Sequence, residues 1–193
     1  MTFKEGKNMF SLVVDSDISL SLPRPRFDAP ALFQLIEDSR PELERWLPWV
    51  PLITSADKER ESLEAFLADF GRGKSLNCLI WYRNQIAGMI SFNKFAGNGS
   101  ADIGYWLRTD FTHRGIMHRA VEAFIRLGFE EYDLNKIVTR AATGNAPSNA
   151  VIRGVGFHLD GVLPQEEKVG GSYLDHNVWS LLLDEWKIRR EKN

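Results

Sequence analysis

The sequence predicts a mixed α/β protein in which a central sheet of about seven strands carries helices on both of its faces. Segments in which apolar residues recur at every second position alternate along the chain with segments in which they recur every three or four positions. Hydrophobic residues make up 44% of the 193 residues and charged residues 26%, an ordinary globular balance. We therefore expect one domain over residues 1–193, with a core from about residue 10 to residue 187.

The predicted strands are apolar runs bounded by turn residues. The first of them, 18–22, reads ISLSL and has a strict period of two. A polar turn at Arg83, Asn84 and Gln85 joins two further runs, and the turn AGNGS precedes the next. In chain order the predicted strands are 18–22, 76–82, 86–93, 101–107, 136–142, 157–163 and 173–183.

Helical spacing and capping residues predict four helices. In the first, Asp28 is the expected cap and Pro30 falls in the first turn, where proline is tolerated. Either Thr143 or Asn145 is the expected cap of the last. The predicted helices are 30–38, 56–70, a third that follows the turn 112–115, and 146–155.

The order of these elements predicts how the sheet is connected. A helix links strand 101–107 to strand 136–142, so these two strands should pair in parallel within an otherwise mostly antiparallel sheet. Residues 1–9 are polar and are expected to be loose, and 187–193 (KIRREKN) are expected to form a solvated tail.

Charge, hydropathy and cysteine content exclude several classes of protein. The formal net charge of −2 gives no reason to expect nucleic acid or an anionic membrane as a partner. No apolar stretch approaches the ~20 residues of a membrane span, and the N-terminus does not resemble a signal peptide. Cys78, the single cysteine, falls in an apolar strand and is expected to be buried and inert. We therefore expect a cytoplasmic protein, and the four histidines lack the spacing of a metal site.

The turn 112–115, between a strand and a helix, is the strongest candidate for binding chemistry. The first N–H groups of a helix are unpaired and carry a partial positive charge, which suits a pyrophosphate. Nearby histidines and arginines add positive charge, and Gly115 lets an anion approach the backbone closely. An ordinary turn with solvated basic residues would have the same sequence, so these features leave the two interpretations equally open.

Several ordered motifs distinguish between these interpretations. The segment IGYWL, then HRGIM at the start of a helix, then NAPSNAVIRGVGF resemble the acetyl-CoA-binding signature of the GNAT acetyltransferases. The similarity is to the RimJ/RimL branch, the ribosomal-protein N-acetyltransferases, and it runs from about residue 10 to residue 187. It also includes WLPWV, GMISFN and GSYLDHNVWSLLLDEW.

The resemblance implies a GNAT-like fold and a binding site for acetyl-CoA. In that family a turn of the form Gln/Arg-x-x-Gly-x-Gly/Ala binds the pyrophosphate through backbone amides. Here Thr112 and Met117 depart from the first and last positions of the turn, which bears on cofactor affinity. The residues that the resemblance assigns to the cofactor are Gly104, Tyr105, Trp106, Leu107, Thr112, His113, Arg114, Gly115, Ile116, Met117, Asn145 and Ser148.

A splayed pair of strands is part of the same expectation. The resemblance implies that the backbone of 104–107 binds the pantetheine arm, which requires this strand to separate from 136–142 and leave a wedge. Asn145 would hydrogen-bond the pantetheine and could cap the following helix at the same time.

By the same resemblance, two residues are candidates for catalysis. Glu167 matches the general base of the RimL branch, and Ser148 matches the donor to the departing sulfur. Without the resemblance, Glu167 would be interpreted as a solvated loop carboxylate and Ser148 as a helix-start residue that bonds nearby backbone. Tyr105 and Tyr173 are alternative acids.

The acceptor pocket is expected across the sheet cleft, although core packing is the default role of large aromatic residues. The expected substrate-binding residues are Trp46, Trp49, Tyr173, Asp175 and His176. Direct transfer to an α-amine needs little more than one carboxylate, because that amine has a pKa of ~7.7–8.0. The first hypothesis is therefore an N-acetyltransferase for a protein or peptide N-terminus. The alternatives are an enzyme for a small amine and a non-catalytic acetyl-CoA-binding module, and a homodimer is left open.

Overall fold

A computed structural model of the protein describes residues 11–191. Its strands are β1 (Ser11–Val13), β2 (Ile18–Ser21), β3 (Leu76–Tyr82), β4 (Gln85–Ala96), β5 (Ser100–Leu107), β6 (Lys136–Ala142), β7 (His158–Val169) and β8 (Ser172–Leu182). Its α-helices are α1 (Pro25–Leu43), α2 (Ala56–Gly71), α3 (Ile116–Glu130), α4 (Ala146–Gly154) and α5 (Leu183–Glu191), and short 3₁₀ turns lie at Val50–Leu52 and Thr109–Phe111. The expectation that 1–9 are loose falls outside the described residues.

The strands form one sheet in the order β1-β2-β3-β4-β5-β6-β8-β7. Neighbouring strands are antiparallel except β5 and β6, which are parallel. The predicted mixed, mostly antiparallel sheet is confirmed, with eight strands in place of about seven. The additional strand β1 has three residues, which is too short for a period of two to be recognised.

The parallel pair separates soon after it begins. Ladder pairs join β5 to β6 only from Ser100 to Asp102, whose partners are Lys136 to Val138. Beyond Asp102, β5 stays paired with β4 as far as Leu107, while β6 stays paired with β8. The predicted wedge between these strands is confirmed. We call this opening the fork.

Helices cover both faces of the sheet, as predicted. On one face, Leu32 of α1 and Leu63 of α2 pack with Leu79 of β3, and we call it the α1/α2 face. On the opposite face, here the α3 face, the ring of Phe124 stacks on that of Phe92 at 4.4 Å between centroids. Within residues 11–191, no helix is both long and apolar enough to cross a lipid bilayer.

The start of α1 differs from the prediction. The helix begins at Pro25, so Asp28 lies inside the helix rather than at its cap. The Asp28 carboxylate accepts the backbone N–H of Arg24 at 2.7 Å and also pairs with the Arg24 guanidinium. The expected cap was wrong because Pro25, three residues before Asp28, already occupies the first helical position.

The C-terminal segment is also more ordered than expected. Residues 187–191 belong to the helix α5, although four of these five residues are solvent-exposed, as expected. The Trp186 ring packs on the Phe129 ring of α3 at 5.2 Å, and the Arg189 guanidinium donates to the Gly154 carbonyl at 2.8 Å. These contacts with distant parts of the chain hold a segment whose own sequence is strongly polar.

Asn149 connects α4 to two strands. Its amide nitrogen donates to the carbonyls of Ala142 and Asn145 at 2.9 and 2.8 Å. Its amide oxygen accepts from Asn177 at 2.8 Å and from the buried Trp179 indole at 3.0 Å. One buried side chain therefore fixes the start of α4 against the end of β6 and the middle of β8.

We expect Asn149→Ala to lower the free energy of unfolding by about 3 kcal/mol, because it removes the acceptor shared by the buried Trp179 N–H and the Asn177 side-chain amide. Urea denaturation measures this loss as a lower midpoint at unchanged slope. Asn98→Ala, in the exposed turn before β5, is the control and should stay within about 0.5 kcal/mol of the parent. Equal stability of the two variants would contradict the role given to Asn149.

Candidate active site

A cleft of about 990 Å³ opens at the fork. The connection between α1 and α2 and the first turns of α2 form one side, and the ends of β6, β7 and β8 form the other. Residues of β5 alternate across it. Gly104 and Trp106 face the α1/α2 face, where Trp106 lies against Trp49 at 6.0 Å, whereas Tyr105 reaches α4 on the other face. The cleft therefore passes through the sheet.

The turn before α3 has the backbone geometry of an anion site. His113 and Gly115 both have left-handed φ angles, 59° and 69°. The N–H of Arg119 donates to the Gly115 carbonyl at 3.2 Å, so the amides of the preceding helical residues are the unpaired ones of the helix start. A Cβ added at Gly115 would meet nothing within 4 Å, so the space in front of the turn is open.

Several side chains at this turn do not enter the open space in front of the helix start. The Thr112 hydroxyl donates to the Thr109 carbonyl at 2.7 Å, and the Arg114 guanidinium lies 5.7 Å from the centre of the Phe111 ring. Ile116 and Met117 have buried side chains, so only their backbone faces the open space. The departures at Thr112 and Met117 from the family pattern therefore fall where side chains are not needed for backbone binding.

Tyr105, Asn145 and Ser148 meet at the start of α4. The Asn145 side chain accepts the Ser148 N–H at 3.2 Å, which identifies Asn145, rather than Thr143, as the cap. The Tyr105 hydroxyl donates to the Ser148 carbonyl at 3.1 Å and lies 3.2 Å from the Ser148 hydroxyl. Burial raises the pKa of Tyr105 to about 12, so its hydroxyl stays neutral and can donate. All three residues line the cleft.

A large bulge in β7 places Glu167. The strand continues to Val169 rather than ending at 163, so Glu167 lies in a strand and not in a loop. Leu163 pairs with His176 and Glu167 with Leu174, so residues 164–166 lie opposite a single residue of β8. Sequence periodicity could not show this continuation, because the bulge interrupts it.

Asp175 and Tyr173 are placed away from the cleft lining. The Asp175 carboxylate accepts the Gln165 N–H at 2.8 Å, at a residue with a φ of 53°, and so holds the bulge in shape. Tyr173 is 59% exposed and stacks with the Lys168 ammonium at 5.6 Å near the end of the hairpin. Asp175 can influence the site through the position of the bulge and through its carbonyl, which accepts the Thr143 N–H at 2.8 Å in the loop before α4.

Glu167 and His176 face each other in the cleft. Glu167 Oε2 lies 3.6 Å from Nε2 of His176, too far for a hydrogen bond. His176 is 6% exposed, and within residues 11–191 its Nε2 atom is buried without any hydrogen-bond partner. The Glu167 side chain is 38% exposed. The Glu167 carboxylate, which accepts no hydrogen bond from any residue in 11–191, thus borders the space where an acceptor amine could bind.

A polar network crosses the floor of the fork. The Ser91 hydroxyl donates to Asn93, whose amide donates to Asp102 at 3.1 Å. The Arg140 guanidinium donates to Asp102 at 2.7 Å and lies 3.7 Å from Glu166. Burial raises the pKa of Asp102, against the opposing effects of its hydrogen bonds and of Arg140. This network ties β4, β5, β6 and β7 together where the ladder stops.

Sequence reasoning missed this network, although it left a signal. Asn77, Ser91 and Asp102 are polar residues within otherwise apolar strands, and all of them line the cleft. Polar residues at alternate positions of neighbouring strands predict a polar patch on one face of a sheet. The expectation for Cys78 holds, since it is buried and burial raises the pKa of its thiol to about 12.

Two tryptophans of the connection between α1 and α2 line the cleft. Trp46 and Trp49 both line it, as the predicted acceptor pocket requires. The Trp46 ring lies 3.7 Å from the position that a Cβ on Gly144 would occupy, and its indole donates to Glu42 at 3.2 Å. The α1–α2 connection therefore reaches across to the loop before α4. Within residues 11–191, no three metal-ligating side chains are grouped to hold an ion.

Known proteins share both the sequence and the fold. Residues 18–158 match the family model described as an acetyltransferase (GNAT) domain. The chain is 33% identical over 184 residues to YdaF of Bacillus subtilis (strain 168), covering 93% of this chain and 98% of that protein. It is 30% identical over 154 residues to the ribosomal-protein-serine acetyltransferase of Escherichia coli (strain K12), covering 79% and 86%.

Solved structures agree with these matches. The ribosomal L7/L12 α-N-protein acetyltransferase RimL, in complex with coenzyme A, superposes with a TM-score of 0.87 at 30% identity, covering 91% of this chain and 99% of that one. The microcin C7 self-immunity acetyltransferase MccE, in complex with acetyl-CoA and AMP, gives 0.87 at 27% identity, covering 93% and 100%. The chain belongs to the GNAT acetyltransferase family.

Proposed function

We propose that this protein transfers the acetyl group of acetyl-CoA to the α-amino group of a protein or peptide N-terminus. The observation that carries the proposal is the fork, where a carboxylate-lined cleft opens on the α1/α2 face, together with the open helix start at Gly115 on the α3 face. Similarity to acetyltransferases that modify ribosomal proteins supports the choice of acceptor.

The residues present fit acetyl-CoA. The unpaired amides after Gly115 would bind the pyrophosphate, because a helix start offers donors and a partial positive charge. Beyond Asp102, the edge of β5 that faces β6 has no ladder pairs among the described residues, so the backbone groups of 104–107 that do not pair with β4 are available to the pantetheine amides. Asn145 stands at the far side of the fork, within reach of the same arm.

The chemistry assigned to the protein's side chains is modest. Acetyl-CoA supplies an acyl group on a thiol that leaves readily, since an ordinary thiol has a pKa of ~8.5. Glu167 accepts the proton of the acceptor ammonium, directly or through a water. Ser148 donates to the departing sulfur, and Tyr105 holds Ser148 in place by the contacts described above. A lysine side chain has a pKa of ~10.4, over two units above that of an α-amine, so its deprotonation at neutral pH would cost correspondingly more free energy.

A small amine is the second candidate acceptor, because the chain is also similar to MccE, an acetyltransferase of microcin C7 self-immunity and not of a ribosomal protein. Mass spectrometry of products from a panel of N-terminal peptides and small amines, each with acetyl-CoA, distinguishes the two. Acetylation of peptides at the α-amine supports the proposal, and exclusive acetylation of small amines replaces it. No acetylation of any acceptor, together with acetyl-CoA binding, would indicate the non-catalytic binding module.

The proposed enzyme is a single-domain cytoplasmic protein. A cytoplasmic location agrees with a single cysteine that is buried and chemically inert. The enzyme would act as one domain without nucleic acid or membrane as a partner, on a chain with a net charge of −2. Size-exclusion chromatography with light scattering would decide between a monomer and the homodimer left open by the sequence.

Acetyl-CoA is expected to stabilise the folded state by mass action. At a concentration one hundred times its Kd, the gain in unfolding free energy should be ~2.7 kcal/mol. Thermal denaturation followed at rising acetyl-CoA concentration measures this gain, and isothermal calorimetry gives the Kd independently. Absence of binding at millimolar acetyl-CoA would contradict both enzyme hypotheses.

A further inference from the structure

Glu59 is a buried residue whose carboxylate has no side-chain partner among the described residues 11–191. It lies near the start of α2 and lines the cleft, but the residue is only 3% exposed. Within residues 11–191 its carboxylate makes neither a hydrogen bond nor an ion pair, and burial raises its pKa to about 7. Burying a carboxylate without a partner is costly, so its position calls for an explanation.

The helix itself does not need this carboxylate. The cap of α2 is Ser55, whose hydroxyl accepts the Lys58 N–H at 3.2 Å. Lys58 could neutralise Glu59 but instead pairs with Glu61 at 2.7 Å on the exposed side of α2. Neither capping nor a local ion pair accounts for Glu59.

Glu59 belongs to the acceptor side of the cleft. Helix α2 packs on the α1/α2 face, whereas the anion site at Gly115 opens α3 on the opposite face. A phosphate group is therefore not what Glu59 meets, and a carboxylate would repel one. The pantetheine arm shares the cleft but has no cationic group, so a cation that pairs with Glu59 would come from the acceptor.

Within residues 11–191 no lysine or arginine of the cleft pairs with Glu59 or Glu167, and the basic side chain nearest to Glu167 is that of His176 at 3.6 Å. Arg140 lies between Asp102 and Glu166, and Lys58 is paired with Glu61 as described. Glu59, on α2, and Glu167, on β7, are at different sides of the cleft. One monocation at Glu167 would leave Glu59 uncompensated.

We propose that Glu59 binds a second cationic group of the acceptor, the ammonium or guanidinium of a basic side chain close to the acetylated N-terminus. This inference rests on the proposed function and narrows it to N-termini that carry a lysine or arginine within their first few residues. The buried carboxylate is stabilised when that cation arrives, because a charge-assisted bond replaces an unpaired buried charge.

Peptides that begin with serine and carry a single lysine at position 2, 3 or 4, and a matched peptide without lysine, test this. For the wild-type enzyme, kcat/KM for one lysine peptide should exceed that for the neutral peptide by about 10- to 100-fold, the range for a hydrogen bond to a charged group. In Glu59→Gln this ratio should fall to near one, mainly through KM. In Glu64→Gln, on the exposed side of α2, the ratio should stay at the wild-type value.

Two results would overturn the role of Glu59: a wild-type enzyme with no preference for any lysine position, or a preference that Glu59→Gln retains. Calorimetry of the same peptides with coenzyme A present measures the preference without turnover. If no peptide is acetylated at all, the proposed function fails, while equal calorimetric affinity for lysine and neutral peptides would separately reject the second cation site.

Discussion

Glu167→Gln is expected to lower kcat by ~10²–10⁴-fold and to leave the affinity for acetyl-CoA unchanged. The reason is that glutamine keeps the shape of the side chain but cannot accept the proton of the acceptor ammonium. In the proposed arrangement the cofactor binds at Gly115 and along β5, and Glu167 on β7 is not among the residues assigned to it, so the affinity for acetyl-CoA should not change. The measurement is kcat at saturating acetyl-CoA and acceptor.

The loss should be partly recovered at higher pH. An α-amine has a pKa of ~7.7–8.0, so a larger fraction is already neutral above pH 8 and the missing base matters less. The ratio of wild-type to variant kcat should therefore shrink as pH rises from 7 to 9. Glu166→Gln is the matched control, because Glu166 adjoins Glu167 but lies beside Arg140 at 3.7 Å, and its effect on kcat should be far smaller.

A different pattern would assign Glu167 another role. If it only attracts the cationic acceptor, KM for the acceptor rises while kcat holds. Wild-type kcat in the glutamine variant at every pH would remove Glu167 from the chemistry. Tyr173 would not then be a strong substitute, since it is largely exposed and lies against Lys168 rather than in the cleft.

Local features of the sequence predicted the parts of the site that depend on local geometry. The turn 112–115 and the Asn145 cap involve residues that are adjacent in sequence, and both have the expected form. The fork was predicted from the family resemblance. It is confirmed because the pairing between β5 and β6 ends after three ladder pairs. Short-range chemistry is visible in sequence because the partners are only a few residues apart.

Features that depend on distant contacts were not predicted. The bulge that positions Glu167 needs Asp175 on the next strand to accept the Gln165 N–H. The burial of Glu59 depends on α2 packing over the sheet, and its sequence context looks like an exposed helical face. Trp186 of helix α5 packs against Phe129, which lies 57 residues earlier in the chain. Such long-range packing leaves little trace in a single sequence.

Gly115→Glu is expected to weaken acetyl-CoA binding by at least ~100-fold, which corresponds to ~2.7 kcal/mol. The new carboxylate would occupy the space in front of the helix start and repel the pyrophosphate that the helix dipole attracts. Folding should be largely preserved, because a Cβ at this position meets nothing within 4 Å. Calorimetry with acetyl-CoA measures the affinity, and circular dichroism confirms that the variant is folded.

Two further variants separate charge from backbone strain. Gly115 has a φ of 69°, which costs any residue with a side chain ~1 kcal/mol or more. Gly115→Ala carries that strain without bulk or charge, and Gly115→Lys carries strain and bulk with the opposite charge. If charge dominates, the lysine variant should bind acetyl-CoA at least as tightly as the alanine variant. Only the glutamate variant should then lose about 100-fold in affinity. Equal losses in Glu and Lys variants would mean that bulk or strain closes the site, and normal binding by Gly115→Glu would place the pyrophosphate elsewhere.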